Sequence, residues 1–209
     1  MAGDADEAEE HAELLLKHMS LANYYDEVAI KGLRLAANDS QNGVLDRQQL
    51  DRVKTTFKDL LHRMGHHDDV QPAGIHPVRR LIDRVAGECG LGGGVAGTHT
   101  DVMADADASL IVGSPVMCIA GCGPMNGLAM AMLVQLLGKR RVVVEVVTDH
   151  IEQSQTIAST NINDVRSVCV LYLDLVGSST ALRNLVEQLR QRLPGGVPIE
   201  VGLWRTKTR

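Results

Sequence analysis

Aromatic side chains are nearly missing: one Phe, one Trp and three Tyr among 209 residues. Stacking platforms for single-stranded nucleic acid need several such rings. The net charge of −5 also has the wrong sign for a phosphate backbone, so no nucleic-acid partner is expected. Cysteine is sparse too. Cys89, Cys118, Cys122 and Cys169 are too few for a disulfide framework in a chain of this length, which points to a reducing, cytoplasmic setting. No stretch reaches the roughly 18 uninterrupted apolar residues that cross a bilayer. The longest candidate, Leu110 to Met125, is broken by Gly, Ser and Pro. The acidic N-terminus lacks the apolar core of a secretion signal, and a soluble chain is expected.

What is present divides unevenly. Residues 1–70 hold 14 acidic and 8 basic side chains, about −6, and the remainder carries about +1. The acidic portion reads as helices. Asp4 to His18 forms a short acidic one, and Ser20 caps a second that runs to about Asn38. The second helix carries Leu21, Tyr24, Tyr25, Val28, Leu35 and Ala36 mostly at three- and four-residue spacing. Asn38-Asp-Ser-Gln-Asn-Gly43 is a stop signal. Asp46 then caps a third helix, with Gln49 placed for a capping box. Leu50, Val53, Phe57, Leu60, Leu61 and Met64 give that helix an apolar stripe, and Gly65 ends it. Pro77 to Ala86 has the apolar spacing of a further short helix, and the Gly/Ala/Asp-rich stretch after it reads as a linker. The expected organisation is a helical segment over 1–86, a Gly-rich linker over 87–110 and a Rossmann-like α/β domain over 111–205.

The last part carries the strongest pattern. Strands are expected over Pro115–Ala120, Val142–Val147, Val168–Leu173 and Pro198–Leu203. Helices are expected over Asn126–Leu137, Ile151–Ala158 and Ser178–Leu193. Val142–Val147 and Val168–Leu173 are rich in β-branched residues and barely alternate, the signature of parallel strands buried on both faces. The fold class is α/β: a flavodoxin-like (Rossmann-like), four-stranded parallel sheet preceded by an α-helical segment. In such a sheet ligands sit at the carboxyl ends of the strands, where strand order reverses. An order of 2-1-3-4 brings the turns after the first and third strands face to face.

Those two turns hold the candidate ligand-binding residues. Gly121-Cys122-Gly123-Pro-Met-Asn126-Gly127 joins the first strand to its helix, where glycines permit close backbone approach and free N–H groups face an anion. Asp149 follows the second strand, about where a dinucleotide fold keeps its ribose acid. Asp174, Ser178 and Ser179 follow the third strand and supply a polar wall. Each feature has a plainer reading as well: the spacing is GxGxxxG and not GxGxxG, no Lys-Ser/Thr follows, and Ser178 or Ser179 serves as a helix cap. His62, His66 and His67, with Asp68 and Asp69, read as the solvated end of a helix, not a metal site. Cys118 and Cys122 lack the CxxC spacing of a redox pair, and Cys118 is expected to be buried. Ser114, Ser178 and Ser179 have no Gly-x-Ser-x-Gly setting, and no carboxylate pair stands out. No catalytic residue, metal or cofactor is expected.

Two segments carry a resemblance. One is Ser20-Leu-Ala-Asn-Tyr-Tyr-Asp-Glu-Val-Ala-Ile-Lys-Gly-Leu-Arg-Leu-Ala36 with Gly43-Val-Leu-Asp46. The other is Leu171-Tyr-Leu-Asp174 with Leu189-Arg-Gln-Arg-Leu-Pro194 and Ile199-Glu-Val-Gly-Leu-Trp-Arg205. Together they resemble the soluble cytoplasmic C-terminal region of autoinducer-2 exporter-family (PerM-like) permeases. The resemblance implies a parent protein in the inner membrane, whose membrane-embedded portion precedes this region. It implies a role as a cytoplasmic accessory or regulatory domain; the Gly121/Asp174 crevice adds the expectation that it senses a small or anionic ligand. The order of helices followed by a β/α half is also similar to cobalamin-binding modules. Their Asp-x-His-x-x-Gly is replaced here by Gly121–Gly127, which has no His to ligate cobalt. A nucleotide- or cobalamin-like small-molecule binder is the alternative. A homo-oligomerisation module, built on the helical hairpin, is a third reading.

Overall fold

The computed structural model describes residues 5–67, 115–121, 123, 125–147, 164–173 and 179–203. The chain forms two compact units, Met1–Arg80 and Leu81–Arg209. The expected helices over 77–86 and 151–158 and the linker over 87–110 lie outside the described residues.

The first unit is helical. α1 (Ala5–Leu16) packs against α2 (Leu21–Tyr24) and α4 (Arg47–Met64). Ser20 caps α2 as its position suggests, its Oγ accepting the Asn23 N–H at 3.1 Å. The long helix expected from Ser20 to Asn38 is interrupted. A π-helical turn, Tyr25–Ala29, joins α2 to α3 (Ile30–Gln41). The extra residue in that turn rephases the apolar face. Leu21, Tyr25, Ala29, Ile30 and Leu33 are buried, whereas Val28 and Leu35, expected in the stripe, are 38% and 63% exposed. A purely 3.6-residue reading therefore misassigns both side chains.

The α4 N-terminus carries the expected capping box. Asp46 Oδ1 accepts the Gln49 N–H at 2.7 Å, and Gln49 Oε1 accepts the Asp46 N–H at 2.8 Å. Gly65 stands at its C-cap. Of its stripe, Leu60, Leu61 and Met64 are buried and Leu50, Val53 and Phe57 are half-buried. Arg63 pairs with Asp6 at 3.1 Å and with Glu9, tying α4 to α1.

The second unit is a parallel sheet with helices. β1 (Val116–Ala120) leads into α5 (Asn126–Lys139) and then β2 (Val144–Val147). β3 (Ser167–Tyr172) leads into α6 (Ser179–Arg192) and then β4 (Ile199–Leu203). The strand order is β2-β1-β3-β4, and every pair is parallel. This order matches a flavodoxin-like sheet up to its fourth strand, without a fifth neighbour among the described residues. β1 and β3 lie in the centre and are buried along their whole length, as unbroken apolar runs require. The same expectation for Val142–Val147 is corrected. β2 starts at Val144 and lies at the sheet edge, where Val146 is 39% exposed; a β-branched run does not distinguish an edge from a centre.

One layer of core joins Met117 and Ile119 of β1, Val168, Val170 and Tyr172 of β3 and Leu185 and Leu189 of α6. Burying each such side chain contributes about 1.5–3 kcal/mol. By strand alternation Cys118 and Cys169 lie on the opposite face, and α5 packs on β1, β2 and β3.

Candidate functional site

Strand order reverses between β1 and β3, because β2 flanks β1 on one side and β4 flanks β3 on the other. The connections from the two central strands depart in opposite directions, which opens a crevice at their carboxyl ends. Gly121, Gly123, Asn126 and Gly127 are brought together here, on the turn between β1 and α5.

Each of the four has a distinct place. Gly121 is buried and prolongs the ladder, donating its N–H to Leu171 O at 2.8 Å. A Cβ on Gly121 would stand 2.6 Å from Tyr172 Cζ, so the absence of a side chain lets the ring close over the strand end. Gly123 has φ +150°, and a Cβ there would lie 2.9 Å from Asn126 Nδ2. Asn126 is 4% exposed, and its Oδ1 accepts the Leu173 N–H at 3.0 Å. Gly127 is exposed in the first turn of α5, with open space where its Cβ would be. Met125, at the N-cap, makes no side-chain cap; the Asn126 N–H goes to Gly123 O at 3.4 Å and the Leu128 and Ala129 N–H groups to Met125 O at 3.1 and 3.2 Å.

The Asn126 bond has a simple geometric origin. In a parallel ladder with Ala120 opposite Leu171, the next rung would carry the Leu173 N–H to the Gly121 carbonyl. The chain turns away after Gly121, and the Asn126 amide oxygen takes that place. A buried N–H without an acceptor would cost about 1–3 kcal/mol, so this side chain is committed to the end of β3. Tyr172 and the Leu173 N–H were not legible as site components. Nothing local in the sequence pairs them with residues about fifty positions earlier.

Ser179 is exposed and is the first residue of α6. Cys122, Asp149, Asp174 and Ser178 lie outside the described residues. His62 and His66 are exposed, with ring centroids 6.1 Å apart and edge-on. Among the described residues no group of three or more His, Cys, Asp or Glu is set to hold a metal ion. Cys118 and Cys169 are register partners on the central strands, both with no exposed surface. The hydrogen bond to Cys169, together with burial, pushes the Cys118 thiol well above its usual range. It therefore stays protonated and a poor nucleophile.

The chemistry on offer at the turn is narrow: Gly127 is the exposed residue in the first turn of α5, at the positive end of the helix dipole. No helix among the described residues is long and apolar enough to cross a membrane. Comparison with family models, with curated proteins and with solved structures finds no match.

Proposed function

We propose that the α/β unit binds a small anionic ligand at the carboxyl ends of β1 and β3, and that it does so as a sensing domain and not as an enzyme. The observation that supports this reading is the order β2-β1-β3-β4, with a glycine-containing turn entering the first turn of α5, where Gly127 is exposed and Met125 makes no side-chain cap. In this reading Gly123 and Gly127 supply backbone approach, and Ser179 is a further binding residue by its place after β3 in the sequence. Asp174 and Ser178 belong to the same binding reading by sequence. A thermal-shift screen of phosphate- and carboxylate-bearing compounds tests it. The expected result is a stabilising compound whose effect Gly123→Val removes; a screen with no stabilising compound contradicts it.

The domain's expected setting is regulatory, as a cytoplasmic appendage of a membrane permease in the inner membrane. The sequence resemblance over Ser20–Ala36, Gly43–Asp46, Leu171–Asp174, Leu189–Pro194 and Ile199–Arg205 supports that setting. Reading the genomic locus tests it: several hydrophobic spans encoded in frame upstream are expected, and a start codon at Met1 with no such spans contradicts it. Self-association through the helical unit is a second reading, favoured by Leu14, Leu35 and Val44, which are 51%, 63% and 67% exposed. Light scattering should then give a dimer that Leu35→Glu dissociates, and a monomer would end this reading.

A further inference from the structure

The crevice has a mechanical element of its own. Asn126 Oδ1 holds the Leu173 N–H at 3.0 Å, and the residue is 4% exposed. The bond joins the first residue of α5 to the residue after β3, the two sides of the strand-order reversal. On its other side the amide is enclosed by the turn, since Gly123 offers only 2.9 Å between a would-be Cβ and Asn126 Nδ2. Gly121 and Tyr172 close the same junction one residue nearer the sheet.

The geometry points to Asn126 as a strut that makes the start of α5 and the end of β3 open and close as one body. A rung of a β-ladder formed by a side chain differs from a backbone rung in one respect. It belongs to the helix as well as to the strand, so neither element loosens without breaking the other's contact. In this arrangement displacement of the start of α5 is passed directly to Leu173 at the end of β3. The coupling goes beyond the binding reading and holds in the unliganded chain.

Native-state hydrogen exchange on the whole chain tests it. In the unaltered protein the Leu173 amide and the Leu128 and Ala129 amides, whose acceptor is Met125 O, should exchange through a shared opening. Asn126→Leu, which keeps the size and removes the acceptor, should speed all three by tenfold or more. Asn126→Asp, which keeps the acceptor, should leave all three within about threefold. Acceleration of Leu173 alone, or of none, would overturn the strut. Should Asn126→Leu fail to fold, a long-range HNCO experiment on the unaltered protein still decides. A correlation between the Leu173 nitrogen and the Asn126 side-chain carbonyl supports the strut, and its absence refutes it.

Discussion

Gly121 lies against the ring of Tyr172 so closely that a single added methyl would stand 2.6 Å from Cζ. Both residues are buried at the carboxyl ends of the two central strands. Gly121→Ala should therefore destabilise the α/β unit by about 1–3 kcal/mol through overpacking. Tyr172→Leu in the same chain should relieve part of that loss, a coupling that a double-mutant cycle on β1 and β3 amide exchange would read. Gly127→Ala is the control. It meets open space in a helix and should be neutral or stabilising by about 0.5–1 kcal/mol.

Cys118 and Cys169 sit side by side in the sheet centre without exposed surface. Both should resist thiol reagents in the native protein and react on unfolding. Cys118 also gives a pH dependence. Its native pKa is raised above the ordinary 9.0, so the folded state keeps a proton that the unfolded state releases. The associated stability is complete below pH 9 and falls as pH rises above it. Denaturant titrations at pH 8 and pH 10 should show this loss, and Cys118→Ala should make it smaller.

The Asp46–Gln49 capping box satisfies donors that α4 would otherwise expose unpaired. Asp46→Ala should cost about 1 kcal/mol, visible as faster exchange in the first turn of α4. Exchange in β1 should not change.

Ser167 is fully buried, and its Oγ has no hydrogen-bond partner among the described residues. An unmade bond carries a desolvation cost with no return, so Ser167→Ala should be neutral or stabilising by up to about 1 kcal/mol. A fall in the unfolding midpoint of Ser167→Ala would show that the hydroxyl does have a partner.

The sheet was readable because Val142–Val147 and Val168–Leu173 are β-branched runs that barely alternate, and for β3 the reading of a parallel strand covered on both faces holds. β2 reads like β3 because Val142, Val143, Val144, Val146 and Val147 make a β-branched run; Glu145, the one charged residue in it, is the mark that separates Val144–Val147 from the central strands. The capping residues Ser20 and Asp46 were legible because a cap is a local event, settled within three residues. The π turn at Tyr25–Ala29 was not, because its cause is tertiary: it brings Tyr25 and Ile30 onto one buried face. At the site, the glycines pointed to the turn itself. The contacts that shape it, Gly121 with Tyr172 and Asn126 with Leu173, join residues about fifty apart and leave no mark in either segment alone.

Ligand binding at the strand-order reversal is tested most directly by two-dimensional 1H–15N NMR of the whole chain titrated with inorganic phosphate and with a nucleoside monophosphate. A site at the crevice predicts saturable shifts at Gly121, Gly123 and Gly127 that move together and disappear in Gly123→Val. The contrary result is saturable shifts confined to other residues, or none at any of the three glycines with either compound.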